Sequence, residues 1–348
     1  MSHRSGVVAC LLAGTLIAIL PKANAQTTSD QDFQKRCTAS GVLVCQGFDA
    51  SSTFVYSSSQ TNGVYPPSGS TKVLAVQDTS IKLSGASALR FDIPGNTGAD
   101  MAGNYSTNFG TSRFGPGSKF YVQYAQRFDS NYTTIDWSSM NTSPKQSIIY
   151  DGNGMTCANL ELTLVDYYAT NIPYMYSECG NRSIRTSTTN ITSFTTAVPY
   201  LYQQGSSTTS GYNCTYGKES HGTGNGVGCF YYPANTWITF YLEVFVGSFG
   251  QANSTIHGYV AINGGAYQQF LNVTNYTINN DASNSAFSRI MLSPYMTGKN
   301  SSISHPTAHT WLDELIVSSQ PIAAPGGTTT VTPPTTTTPD PPTNVTVN

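Results

Sequence analysis

Charged residues make up only 10% of this chain, so those that interrupt apolar segments stand out. Arg90 and Asp92 alternate with Leu89, Phe91 and Ile93. Tyr121, Gln123 and Arg127 alternate with Phe120, Val122, Tyr124 and Phe128. Glu161, Glu243, His257 and Tyr259 occupy similar outward places, and Lys145 and Tyr295 belong to two further apolar segments. If these side chains share one concave sheet, they make a groove of cations, carboxylates, amides and rings. Such a groove suits a polysaccharide: rings stack on sugar faces, while amides and charges bind hydroxyls and carboxylates. Each residue also has a plainer reading. An outward Arg or Lys on a strand is solvated or paired with Glu161, Glu243 or Asp92, and His257 is a surface histidine. Glu161 and Glu243 are also a candidate glycosidase acid–base pair, although their sequence separation says nothing about their distance.

The elements that must position these residues are strands. In Trp237–Gly265, Ile238, Phe240, Leu242, Val244 and Val246 take one face, and Trp237, Thr239, Tyr241, Glu243 and Phe245 take the other. This period of two predicts a sheet packed on its apolar side. A return strand, Ile256–Ile262, runs into Asn263-Gly264-Gly265, a hairpin signal. Similar patterns predict strands at Val42–Asp49, Val73–Asp78, Ser87–Pro94, Lys119–Phe128, Lys145–Tyr150, Asn159–Tyr167, Ser288–Met296 and Thr310–Ser318. Residues 95–117 read as loop, and residues 168–236 as a long polar excursion with short strands, of the kind that usually carries function. About ten strands without long helical patterns predict an all-β, two-sheet antiparallel sandwich.

Residues 1–25 read as a secretory signal peptide: His3 and Arg4, an apolar run from Val7 to Leu20, then Ala23-Asn24-Ala25. Residues 26–39 form the mature N-terminal segment and 40–322 the folded domain. Residues 323–342 are a Thr/Pro-rich linker and 343–348 a C-terminal stub. The expected location is extracellular, with no membrane span. Export permits disulfides, and Cys37, Cys45, Cys157, Cys179, Cys214 and Cys229 remain after Cys10 leaves. Six cysteines allow 15 connectivities; neighbour pairing, 37–45, 157–179 and 214–229, is the simplest. Their spacing is not that of a zinc site. The net charge of −2 and the lack of a basic patch argue against a nucleic-acid partner. A glycan partner and a monomer are expected. Asn-x-Ser/Thr sequons occur at Asn104, Asn131, Asn141, Asn181, Asn190, Asn213, Asn253, Asn272, Asn275, Asn300 and Asn344. A eukaryotic secretory route would glycosylate many of them, and composition alone accounts for many.

Trp237 opening a long strand, Ile262-Asn263-Gly264 ending its return, then SRIMLSPYM and an acidic last strand TWLDELIVS resemble the concanavalin-like jelly roll over about residues 40–322. That fold is shared by laminin-G-type modules, legume lectins and secreted polysaccharide lyases of the alginate, glucuronan and heparin type. The resemblance to the lyases implies roles for an arginine in Ala88-Leu89-Arg90-Phe91-Asp92, for Gln146 in Lys145-Gln146-Ser147, and for Tyr295 in Leu292-Ser293-Pro294-Tyr295. The histidine of the family's Gln-x-His motif is missing, unless His257, His221 or His305 replaces it. The Glu-x-Asp-x-x-Glu strand of glycoside hydrolases with this fold is absent. β-Elimination from a uronic acid needs a cation or amide on the carboxylate, a base for the C5 proton and an acid for the leaving oxygen. Arg90, Arg127, Lys145 or Gln146 would do the first, and Tyr295 or His257 the others. A phenol near its ordinary pKa of about 10 is a poor base at neutral pH unless a cation assists it. The resemblance also implies a structural Ca2+ between Asp49 and Asp313, with no other cofactor. The alternatives to a lyase are a non-catalytic glycan-binding or adhesion module and an extracellular matrix protein.

Overall fold

The alternation in Trp237–Phe245 resolves into the middle of a sheet. In the computed structural model this strand pairs on one side with Lys119–Phe128, setting Tyr241 against Gln123. On the other side it pairs with Ala252–Ile262, setting Tyr241 against Tyr259. Ile238, Phe240, Leu242 and Val244 are fully buried in the core, as the sequence pattern predicts. Burying such a side chain contributes about 1.5–3 kcal/mol. The structure describes residues 28–54, 56, 62–66, 74–96, 102–137, 139–140, 142, 144–151, 160–166, 171, 173–176, 201–203, 230–278, 285–296 and 298–326. The expected signal peptide, the stub, most of the linker and Cys157, Cys179, Cys214 and Cys229 lie outside them.

The described strands are β1 (Val42–Gln46), β2 (Gly63–Tyr65), β3 (Ala75–Asp78), β4 (Ala88–Ile93), β5 (Asn104–Asn108), β6 (Lys119–Phe128), β7 (Lys145–Tyr150) and β8 (Glu161–Asp166). They continue with β9 (Pro173–Tyr176), β10 (Leu201–Gln203), β11 (Trp237–Phe245), β12 (Ala252–Ile262), β13 (Gln268–Thr277), β14 (Arg289–Leu292) and β15 (Ala308–Ser318). Two helices, α1 (Thr28–Cys37) and α2 (Ser130–Thr134), complete them. Sheet A runs β13-β12-β11-β6-β15-β4-β3, with β1 also on β15. Sheet B runs β10-β9-β8-β7-β14-β5-β2. Their named strand pairings are antiparallel, and the inner faces enclose one core. This is a jelly-roll sandwich, the fold class the strand pattern predicts. No described helix is long and apolar enough to cross a membrane.

The N-terminus departs from expectation. Residues of the expected mature N-terminal segment, in which no helix is predicted, form α1, which lies on the outer face of sheet A. Phe33 and Arg36, one turn apart, are its buried residues. Phe33 packs with Tyr121, Tyr241, Tyr259, Ile316 and Ile322. Arg36 donates to Gln123 Oε1 at 2.5 Å, to Glu314 Oε2 at 2.5 Å and to Asp32 Oδ2 at 2.9 Å. The Cys37–Cys45 disulfide, the first of the expected neighbour pairs, ties the end of α1 to β1. The start of the predicted linker is also packed down, since Gln123 Nε2 donates to Ala323 O at 2.9 Å.

A register irregularity between Asp313 and Ile316 on β15, with Glu314 at φ 51°, turns two successive acids away from the core. Glu314 takes Arg36, and Asp313 takes the loop before β4. The Arg36 and Glu314 side chains are only 3% and 2% exposed, so neither is screened by water. Arg36→Met should cost about 3–5 kcal/mol in urea denaturation, because it leaves a buried carboxylate without its cation. A loss below about 1 kcal/mol would place the pair with solvated surface bridges instead.

Candidate active site

The polar residues expected on one face are divided between two sheets. Arg90, Tyr121, Gln123, Arg127, Glu243, His257 and Tyr259 belong to sheet A, whereas Lys145, Gln146 and Glu161 lie on sheet B strands, with Tyr295 just beyond β14. The single groove predicted from the sequence therefore does not exist. Each sheet has its own outer face, and the two faces look away from each other.

On sheet A the expected ligand-binding side chains are spent on the fold. Tyr121 and Tyr259 are 6% and 4% exposed, in a tyrosine cluster with Tyr241 and Tyr267 that α1 and Ile322 cover. Gln123 is fully buried and bonded to Arg36, Tyr267 and Ala323. Arg90 donates to Asp92 at 2.7 Å and Asp78 at 2.9 Å, and these carboxylates raise its already high pKa, the Asp92 bond most. Arg127 lies 5.8 Å from the Trp311 ring centroid and donates to Asn235 O. Glu243 accepts from Lys119 Nζ at 2.7 Å, and His257 Nδ1 stands 3.6 Å away. For these residues the plainer reading, pairing and packing, describes the structure.

Asp49 and Asp313 meet around one loop. Asp313 Oδ2 accepts N–H bonds from Leu83 (2.9 Å) and Ser84 (3.2 Å), and Asp30 accepts from Gly85 at 2.6 Å. Asp49 Oδ1 accepts from Ala86 and from Ser87 at 3.1 Å. Gly85 has φ 64°, and a Cβ there would fall 2.1 Å from Asp49 Oδ1, so only glycine fits. Burial pushes the Asp313 carboxyl well above its usual range, against the Leu83 N–H bond. Calcium takes six to eight oxygen ligands. Here the carboxylates face the positive ends of five backbone N–H groups. No group of three or more His, Cys, Asp or Glu among the described residues is placed to hold a metal ion.

Sheet B presents a different face. Ile149, Leu162, Leu164, Ile290 and Leu292 point into the core. The alternate residues form three cross-strand rows on the outside. One row is Glu161, Tyr150, Arg289 and Asn108; the next is Thr163, Ile148, Met291 and Ser106. The third begins with Val165 and Lys145 and includes Tyr295. Successive rows are about 6–7 Å apart along the strands.

A register shift between Lys145 and Ser147 sets this arrangement. Gln146 and Ser147 both turn inward: Gln146 accepts from Gln126 at 2.5 Å and donates to Tyr132 Oη at 2.8 Å, and Ser147 accepts from Tyr124 Oη at 3.2 Å. Gln146, expected to meet a substrate carboxylate, is thus an interior residue that joins the sheets. Lys145 lies on the other side of the sheet from Gln146 and is itself buried, 6% exposed. Its N–H donates to Tyr295 O at 2.8 Å, and its ammonium lies 5.0 Å from the Tyr295 ring centroid. Tyr295 is half-buried. At the opposite end of the same strands, the Arg289 guanidinium lies 5.5 Å from the Tyr150 ring centroid and donates to Asn108 at 2.6 Å. Burial raises the Tyr150 pKa, opposed by its bonds to Ser106 and Arg289. Tyr65, Ile148, Tyr150 and Met291 make a separate buried apolar cluster between these ends. Tyr150 and Arg289 were missed from sequence. Tyr150 has the opposite parity to Lys145, and only the register shift brings both to one face.

No protein-family model matches the chain, and no curated protein matches it. Solved structures do. The chain is similar to the PL-14 alginate lyase from Aplysia kurodai, at 12% identity over 70% of this chain and 86% of that one, TM-score 0.44. It is similar to the endo-β-1,4-glucuronan lyase from the fungus Trichoderma reesei, at 12% identity over 71% and 87%, TM-score 0.42. It is also similar to the catalytic domain of a glycoside hydrolase family 131 protein from Coprinopsis cinerea, at 12% identity over 82% and 97%, TM-score 0.42. These are jelly-roll proteins of the kind the strand pattern resembles. At such values the likeness assigns no residue and no activity.

The Glu243 carboxyl is held down to about 2 by His257 first and Lys119 next, against the opposing pull of burial. A carboxyl lowered in this way stabilises the fold above its unfolded value, near 4.5, and the contribution is lost as pH falls toward 2. Glu243→Gln should therefore flatten the fall of Tm across that window. An unchanged acid profile would show that other carboxyls set it.

Proposed function

We propose that the protein is a polysaccharide lyase that cleaves uronic-acid polymers by β-elimination on the outer face of sheet B. The observation that carries this reading is the pair of Lys145 and Tyr295. A cation and a phenol are held together by neighbouring strands, Lys145 buried at 6% exposure and Tyr295 half-buried above it. In this mechanism the Lys145 ammonium faces the substrate carboxylate and draws charge from it, which acidifies the C5 proton. The Tyr295 oxygen, as phenolate, takes that proton. The C5–H electron pair becomes the C4–C5 double bond, and the C4–O4 bond breaks. The same phenol then returns its proton to the departing O4. No co-reactant is needed, and the products are a new chain end and an unsaturated uronate. On the same side of the sheet, Arg289 adds a second cation over the buried Tyr150 ring.

We place the reaction outside the cell. The export signal read in residues 1–25 supports this, as does the Cys37–Cys45 disulfide, a bond that persists in oxidising compartments.

The test is a panel of polyuronates and neutral glucans, with the ultraviolet absorbance of unsaturated ends as the signal. Activity is expected on a polyuronate and not on a neutral glucan. Tyr295→Phe should lower kcat about 10²- to 10⁴-fold, the usual contribution of a positioned acid or base. Lys145→Met should lower kcat/KM as well. Binding without any unsaturated ends would make the protein a glycan-binding module and remove the lyase reading. Full activity in Tyr295→Phe would remove the tyrosine from the mechanism.

A further inference from the structure

Among the described residues β13 is the last strand of sheet A on one side: no described strand pairs with its far side, although β10 of sheet B lies nearby. The N–H and C=O groups of β13 that face away from β12 are a template for pairing with another chain. Proteins usually blunt such edges with charge, proline, short strands or a covering segment. The sequence of β13, QQFLNVTNYT, contains no charged residue and no proline.

It contains two back-to-back sequons instead, Asn272-Val273-Thr274 and Asn275-Tyr276-Thr277. Asn272, Thr274 and Asn275 are exposed, whereas Phe270, Leu271 and Tyr276 are buried. The pairing of Ser254 with Tyr276 and of Ile256 with Val273 leaves one extra residue on β13. Asn275, at φ 63°, lies in that bulge, in a conformation Asn tolerates better than most residues. Two other described sequons differ. Asn104 is 2% exposed within β5, and the Asn131 amide donates to Thr307 O at 2.9 Å. A glycan at Asn104 would have to displace packed neighbours.

We propose that Asn272 and Asn275 are N-glycosylation sites, and that their glycans shield the β13 edge from pairing with a second copy of the chain. In the modification, the Asn amide nitrogen bonds to the anomeric carbon of a lipid-linked oligosaccharide. The lipid diphosphate leaves, and the amide gives up one proton. The proposal does not depend on the lyase reading. It depends on passage through a glycosylating secretory route, in which a bulky polar group supplies what the sequence of the edge lacks.

The experiment is secretion of the full chain from a eukaryotic host, enzymatic deglycosylation in heavy-oxygen water and peptide mass mapping. Mass tags are expected at Asn272 and Asn275 and absent at Asn104. Unmodified Asn272 and Asn275, or a tag at Asn104, would overturn the assignment. Size-exclusion chromatography then tests the shielding. Asn272→Gln/Asn275→Gln should shift the protein toward dimers and larger species, while Asn300→Gln, on an exposed loop, should not. Asn272→Lys/Asn275→Lys should restore the monomer without glycans, because charge protects an edge by another route. A monomeric Gln double variant would overturn the shielding role, as would a Lys variant that aggregates equally.

Discussion

The centre of sheet A is buried on both faces, and much of the molecule follows from that constraint. A sheet with one wet face can leave polar side chains to water. Here α1 and the segment after β15 close the middle of the outer face, so the polar groups beneath them must satisfy one another. Arg36 is the centre of the solution. It reaches Gln123 on β6 and Glu314 on β15 while anchored to Asp32 on its own helix. Gln123 in turn holds Tyr267 and Ala323. The two ends of the described fold are therefore fixed by one guanidinium and one amide, with the Cys37–Cys45 bond limiting how far α1 can move.

The sparse charges are used in the same way elsewhere. A polar loop carried over a sheet leaves its N–H groups without strand partners. The loop before β4 has five in succession, and three carboxylates from α1, from the turn after β1 and from β15 accept them. The bulge on β15 makes this possible, because it turns Asp313 and Glu314 to the same side. A regular strand would send one of the two into the core, where a carboxylate is costly. With one irregularity, β15 serves both the loop and the helix.

The alternation of apolar and polar residues made most strands legible. β4, β6, β7, β8, β11, β12 and β15 lie where the period of two places them, within a few residues. β5 and β13 were missed for a physical reason. NYSTN is polar on both sides, and its strand character comes from pairing with β14 and β2, not from its own pattern. In β13 a bulge breaks the alternation. α1 was missed because TSDQDFQKRC offers only Phe33 as an apolar anchor; the rest of its inner face is the stem and head of an arginine. The candidate site was legible only in part. Lys145 and Tyr295 were singled out as chemistry-bearing residues, but their contact depends on pairing between distant segments. Arg90 was drawn to the same site by a short motif, although it sits on the other sheet between two aspartates.

The register shift in β7 links the interior to the candidate site. It sends Gln146 and Ser147 inward together, where they bond Gln126, Tyr132 and Tyr124 across the core. Restoring regular alternation would turn either Gln146 outward or Ser147 away from Tyr124, and would strand a buried amide or hydroxyl at a cost of about 1–3 kcal/mol each. The same shift is what places Lys145 and Tyr150 on one face, five residues apart. The interior amide network therefore fixes the outer face: the bonds that hold the sheets together also decide that a cation from β7 meets a tyrosine following β14. Gln146 has no place in the chemistry proposed here, but it determines the direction of the lysine that does.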